Sequence, residues 1–306
     1  MTPAVVIIAN PAAGYHQPAW RDSVTRILSE LGPVEVVTPD SAEGTTAAAR
    51  DAEQRCVKLI VAAGGDGTAH RVVNGLSSTS SHVGLLPMGT ANDLSEQLGL
   101  PRALEAAARA MLTGVHTDID VVRINRTRVL TVGGFAVLAE AALLSDVMKR
   151  RWPWLGPVVY KMAAARIIAS RGNDRVAGSF VANQSFLGGS IRLPCDSSND
   201  DGVFELVTLA GGSRRKLAQT LLHMTLGTPL PAGFVTSMSV ARTTLEFDED
   251  VPVFGDGEDL GRGRVFQVVV EPRAVRVRIA RATASEGTLA VQTSRVKLMP
   301  ISSAAE

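Results

Sequence analysis

The chain of 306 residues has little cysteine, almost no net charge and no long apolar run, and each shortage closes off a class of protein. Its two cysteines, Cys56 and Cys195, lie far apart without metal-ligand spacing. They read as reduced thiols of a cytoplasmic protein, not as a disulfide framework. The formal net charge is +1, so the charge balance does not ask for nucleic acid or another polyanion. No window of about 20 residues stays apolar enough to span a bilayer. The opening MTPAVVIIANP has a short apolar run with no basic residue before it, and reads as a first strand rather than a signal peptide. Internal repeats and low-complexity segments are missing as well. What remains is a globular composition, 45% hydrophobic and 20% charged. The length allows two domains of ordinary size. Any meeting with a membrane is expected from the water side.

Strand-like runs VVIIAN (5–10), VEVVT (34–38), KLIVAA (58–63) and HVGLLP (82–87) alternate with helical patterns near 18–31, 43–55, 68–77 and 90–112, the last broken by Pro101. Such alternation predicts an α/β domain with a parallel sheet covered on both faces. Beyond about residue 115 short strands dominate, interrupted by helical stretches near 137–170 and 213–226. This predicts a β-sandwich-like second domain. The expected division is an α/β domain at 1–120, a β-rich domain at 121–281, and a tail at 282–306 that either frays or returns to the first domain.

Three turns follow strands of the first domain, where an open α/β sheet places its ligands. They are NPAAG (Asn10, Pro11, Ala12, Ala13, Gly14), GGDGT (Gly64, Gly65, Asp66, Gly67, Thr68) and PMGTAND, which carries Gly89, Thr90, Asn92 and Asp93. Glycine lets backbone N–H groups converge on an anion, and a following helix adds the positive end of its dipole. No lysine follows as in a Walker A loop, and the G-x-G-x-x-G fingerprint is absent. The pattern points to a polyphosphate nucleotide held mainly by backbone amides. Asp66 and Asp93 stand in two of these turns, and Asp120 follows on the next strand. A carboxylate beside phosphates is repelled unless a cation lies between them. Mg²⁺ joins one or two carboxylates to substrate phosphates, so the three acids are candidates for a magnesium network. Asp66 and Asp93 also read as helix N-caps, and that alternative stays open.

GGDGT, the following Asn74–Gly75 pair and P-x-GTAND together resemble the diacylglycerol kinase catalytic domain family, which includes bacterial lipid kinases and the sphingosine and ceramide kinases. NPAAG, the second-domain run FLGGSIRLPCDSSNDDGVFEL and the late GDGE are similar to further motifs of that family, in the same order. The resemblance implies an ATP- and Mg²⁺-dependent lipid kinase, with diacylglycerol the default acceptor. It implies nucleotide contacts from Asn10 to Gly14, Thr38, Gly64 to Thr68 and Thr90, with Asp66 and Asp93 in the Mg²⁺ network. It makes Glu258 the base that takes the proton of the lipid hydroxyl, with Asp256 beside it. A second, structural Mg²⁺ is implied at Ser198, Asp201 and Val203, although D-D-G is also an ordinary turn.

Two positions depart from the family pattern. GGDGT-x-N-E becomes GGDGT with His70 and Arg71, and Glu96 stands where the family tends to have Arg. The exchange suggests a reversed ion pair, Arg71 with Glu96, while His70 reads as a surface residue. Thr131 in TVGGF also stands where the family tends to have Asn. At 149–160, three basic residues beside Trp152, Trp154 and Tyr160 suit a membrane interface or a helix packed on the sheet. The expected partners are a lipid substrate and no nucleic acid, with peripheral membrane contact through 149–160 and a homodimer both left open. Competing readings are an NAD kinase-like enzyme, which shares GGDGT, and a nucleotide- or lipid-binding regulator on a decayed kinase scaffold.

Overall fold

The computed structural model describes residues 2–11, 19–113, 115–152, 154, 158–170, 176–188, 191–193, 195–212 and 235–279, with isolated positions between 215 and 233. Ala12, Ala13, Gly14, most of the 213–226 stretch and the tail from 280 therefore lie outside the described residues.

Strand β1 (Val5–Ala9) is buried at all five positions, as expected of a central strand with helices on both faces. It pairs in parallel with β2 (Val34–Val37) and β3 (Leu59–Gly64), and β3 pairs in parallel with β4 (His82–Pro87). Alternation along β1 sends Val6 and Ile8 toward α2 (Ala42–Gln54) and α3 (Asp66–Gly75), where they meet Ala49, Ala52, Val72 and Val73. Val5 and Ile7 go to the other face, against Trp20, Val24 and Leu28 of α1 (Trp20–Leu28) and Ala107, Ala108 and Met111 of α5 (Leu104–Thr113). Each such aliphatic side chain contributes roughly 1.5–3 kcal/mol when fully buried. Because Gly64 pairs with Pro87, the turns after β3 and β4 emerge side by side. The turn after β4 leads into the short helix α4 (Asp93–Gln97), and α5 starts only past Pro101.

The rest is largely antiparallel. Strand β5 (Val115–Ile124) pairs with β6 (Thr127–Val129) and β14 (Glu258–Ile279). Strand β13 (Arg242–Gly255) pairs with β14 and with β7 (Val132–Ala136), which continues through β8 (Val176–Ala182) and β11 (Phe204–Gly212) to β12 (Val235–Val240). One face buries Phe135, Phe204, Phe266 and Val268, and the other packs Phe180, Val207 and Phe254 against Ala139. Ala139 lies on α6 (Val137–Arg151), which forms a hairpin with α7 (Val158–Ser170). The single helical stretch expected over 137–170 is thus two helices. Between β8 and β11, β9 (Phe186–Leu187) and β10 (Ile191–Arg192) form a small separate ladder.

The expected α/β domain with parallel sheet and the β-sandwich-like second domain are both present. Their boundary is not a point in the chain. Ile119 and Val121 join the first core, whereas Val122 and Ile124 of the same strand join the second. The chain returns to the first core within β14: Val275 and Val277 pack there, and Val277 pairs with Val83 of β4. That return precedes residue 282, and it occurs because a 22-residue strand is long enough to cross both cores.

Candidate active site

The turns after β3 and β4 pack backbone against backbone. A Cβ on Gly65 would lie 2.9 Å from the Cα of Gly89, and one on Gly89 would lie 2.5 Å from the Cα of Gly65. Gly64 lies just as close to Thr68, whose hydroxyl is 3.4 Å from the Asn10 amide nitrogen at the end of β1. Asn92 takes the left-handed conformation (φ 54°) and closes the second turn, its side chain accepting from Gly89 N and donating to Gly89 O, both at 2.8 Å. These turns bring Asn10, Gly64, Gly65, Thr68, Gly89 and Asn92 together. Pro11 and Thr90 are exposed at the same edge, as is Thr38, whose hydroxyl accepts from Arg21 at 3.0 Å.

Asp66 is the first residue of α3, yet it does not cap its own helix. It accepts from the backbone amide of Leu94 at 3.2 Å, at the start of α4. Burial pushes its carboxyl up to about 6, with further repulsion from Asp93 and Asp256. A half-buried acid made reluctant to ionise by a second acid suits a cation held between them, so the residues fit the magnesium that the turns imply. Asp93 is buried and accepts from Gly188 N at 2.7 Å, tying α4 to the end of β9. Asp120, which the sequence grouped with these two, is engaged elsewhere: its oxygens accept from Gly202 N (2.6 Å) and Arg273 N (2.7 Å). It holds the D-D-G turn against a kink in β14, and it is 1% exposed. On that turn Asp201 accepts from Val203 N at 3.1 Å, and the Ser198 hydroxyl donates to Asp200. Among the described residues no three His, Cys, Asp or Glu side chains cluster as metal ligands.

The decisive approach comes from far along the chain. Asp256 and Gly257, both at positive φ (54° and 83°), form the two-residue turn between β13 and β14, with Gly255 paired to Glu258. Asp-Gly is the residue pair that a tight hairpin of this kind favours. The turn sets Glu258 directly over the glycine turn after β3: a Cβ on Gly67 would fall 2.2 Å from Glu258 Oε1. Asp256 is buried and saturated. Its Oδ1 accepts from Thr131 N (2.8 Å) and from the Thr131 hydroxyl (2.7 Å), and its Oδ2 accepts from Leu130 N (2.9 Å) and lies 2.7 Å from His70 Nδ1. Thr131, a departure from the family pattern, thereby bonds the turn through both backbone and side chain.

Residues 4–124 match the family model described as the diacylglycerol kinase catalytic domain, and residues 156–279 match the YegS C-terminal NAD kinase beta sandwich-like domain. Residues 4–124 belong to the diacylglycerol kinase catalytic domain family. The chain is 27% identical over 272 residues to a diacylglycerol kinase of Bacillus subtilis (strain 168), covering 82% of this chain and 88% of the relative. A probable lipid kinase YegS-like of Klebsiella pneumoniae (strain 342) is 25% identical over 90% of this chain and 96% of its own. The fold matches a solved structure of a Bacillus anthracis str. Sterne protein assigned as a diacylglycerol kinase, with a TM-score of 0.76 at 18% identity, over 92% of this chain and 97% of that one.

Within this kinase family member, two residues act differently from the sequence expectation. Arg71 does not pair with Glu96. Its guanidinium donates to Glu258 Oε2 at 2.5 Å, and Glu96 pairs with Arg102 at 2.8 Å. His70 is not a surface residue but is 5% exposed, bonded to Asp256. The expected pair failed because opposite charge does not specify a partner. Residues 70 and 71 point to the hairpin turn, while Glu96 lies on the exposed side of α4. The one local signal for the true arrangement was the Asp-Gly hairpin pair, which marks where Glu258 turns inward.

Proposed function

We propose that this lipid kinase transfers the γ-phosphoryl group of ATP to a lipid hydroxyl, with diacylglycerol the default acceptor and phosphatidic acid the product. The observation that carries this reading is the seat of Glu258 on Gly67, a carboxylate from the second domain lying on the nucleotide turn of the first. Phosphoryl transfer needs positioning, charge neutralisation and a group that accepts the hydroxyl proton. The packed turns at Gly64–Thr68 and Gly89–Asn92 present backbone amides to the phosphates. Asp66 and Asp93 would hold Mg²⁺, which when bound neutralises charge on the phosphate oxygens. As the lipid oxygen forms its bond to the γ-phosphorus and the bond to ADP breaks, Glu258 takes the hydroxyl proton.

The acceptor lives in a bilayer, and the α6–α7 hairpin is the surface suited to reach it. Val147, Trp152, Trp154, Val158 and Met162 are exposed there beside Arg151. Tryptophan beside basic residues favours the headgroup layer. No helix among the described residues is long and apolar enough to cross a membrane, which fits docking by this hairpin.

Incubation with labelled ATP, Mg²⁺ and a total lipid extract tests the reading, with label expected in a phosphatidic-acid-like product. Label in NAD instead would favour an NAD kinase-like activity. Tight nucleotide binding without any labelled product would favour a regulator. Flotation with anionic vesicles tests docking: loss in the Trp152→Ala, Trp154→Ala double variant is expected, and unchanged flotation would reject the hairpin.

A further inference from the structure

Two consecutive residues of α3 each hold one acid of the Asp256–Glu258 turn. His70 Nδ1 meets Asp256 Oδ2 at 2.7 Å, and Arg71 meets Glu258 Oε2 at 2.5 Å, across sequence separations of 186 and 187 residues. The two contacts differ in surroundings. Asp256 is buried and bonded besides to Leu130 and Thr131, so the His70 contact fixes the base of the turn. Arg71 and Glu258 remain 25% and 29% exposed, on the open side of the same helix face as Gly67. Gly67 and Arg71 are four apart on α3 and therefore neighbours on one face. The Glu258 carboxylate is clamped between them, with Oε2 on the guanidinium and Oε1 against the Gly67 backbone.

We propose that Arg71 is the positioning residue of Glu258: it holds one carboxylate oxygen so that the other faces the nucleotide turn, and its charge keeps Glu258 beside phosphates that would otherwise repel it. The inference rests on the reading of Glu258 as proton acceptor. It gives the departure at residue 71 a purpose other than decay. Asp66, Asp93, Asp256 and Glu258 already crowd this end of the sheet with negative charge, and a triphosphate adds more. A base carried by a hairpin needs a tether to stay there, and Arg71 provides one from the helix that opens the nucleotide turn. Gly67 supplies the complementary half of the seat, since a methyl group at that position would occupy the place of Oε1.

The test is a double-mutant cycle on kcat, with KM for ATP and for dispersed diacylglycerol measured alongside. Arg71→Ala is expected to lower kcat by roughly ten- to a hundredfold, the scale of a small misplacement of a reacting group, with both KM values within about twofold. Arg71→Lys restores most of the loss, because it keeps the cation. In a Glu258→Gln background, Arg71→Ala costs nothing further, since its effect runs through the carboxylate. Gly67→Ala, which displaces Glu258 from the other side, lowers kcat without lowering the melting temperature. If Arg71→Ala does not fold, Arg71→Gln takes its place. An Arg71→Ala loss of equal size in the wild-type and Glu258→Gln backgrounds overturns the positioning role alone. So does a rise in KM for ATP at unchanged kcat. Full kcat in Glu258→Gln would instead reject the proton-acceptor reading, and the positioning role with it.

Discussion

The turn at Gly64–Thr68 and the turn at Gly255–Glu258 face each other, and each carries acids, but they use them in opposite ways. In the hairpin turn, Asp256 is surrounded by donors from Leu130, Thr131 and His70. In the glycine turn after β3, Asp66 accepts from amides at the start of α4, and burial together with repulsion from Asp93 and Asp256 pushes its carboxyl up to about 6. A saturated carboxylate is structural: it fixes the shape of the chain around it. An under-compensated one stays reluctant to ionise. Glu258 stands between these cases, with one oxygen bonded to Arg71 and the other facing the glycine turn. Two residues apart on one hairpin, Asp256 is enclosed by donors and Glu258 keeps one oxygen against the glycine turn.

The comparison is sharpest at Glu258. Glu258→Gln keeps shape and volume and removes the proton acceptor, so kcat should fall roughly 10²- to 10⁴-fold. Nucleotide affinity, measured by titration calorimetry, should stay within about twofold. Undiminished turnover would erase the distinction between the two acids of the hairpin.

Asp256→Asn should act first on stability. It leaves two of the donors at Leu130, Thr131 and His70 facing an amide NH₂, at a cost of about 2–3 kcal/mol. The urea midpoint reads this directly. A stability change under about 0.5 kcal/mol would mean that the hairpin is held by its strands alone.

Asp66 gives the opposite sign. Its folded carboxyl titrates at about 6 against an ordinary 3.8, so between these values the folded state binds more protons than the unfolded one. Stability is therefore greatest below about pH 4 as far as this group is concerned, and it falls as pH rises to about 6. For a half-buried group the loss is about 1–2 kcal/mol after solvent screening. Asp66→Asn should remove that slope in urea midpoints measured from pH 4 to 7. A slope unchanged by the substitution would mean that Asp66 is as well compensated as Asp256.

The smallest effect is expected outside the cleft. Arg102 and Glu96 pair with side chains 83% and 53% exposed, so Arg102→Ala should change stability by about 0.5 kcal/mol or less and leave kcat alone. That contrast separates a surface pair from the Arg71–Glu258 clamp, although both are Arg–carboxylate contacts under 3 Å.

The sequence by itself determined the pieces that local chain geometry controls. Alternating apolar runs specified the parallel sheet, because burial on both faces needs continuous β-branched strands. Glycines marked the turns where backbones approach within contact, as Gly65 and Gly89 do. Asp-Gly at 256–257, read in the sequence only as part of a family-like motif, is also the pair a tight hairpin takes, since both residues adopt positive φ. Motif order carried the family. The tertiary structure alone decided which charges meet. Asp120, spaced like a third metal ligand, instead holds Gly202 and Arg273. Arg71 reaches Glu258 across 187 residues instead of Glu96 across 25. That choice depends on the register of β13 with β7 and β14, which sets the hairpin over α3. Charge is long-ranged and unspecific, so a sequence lists the candidates for an ion pair, and only the packing of strands and helices brings two of them within bonding distance.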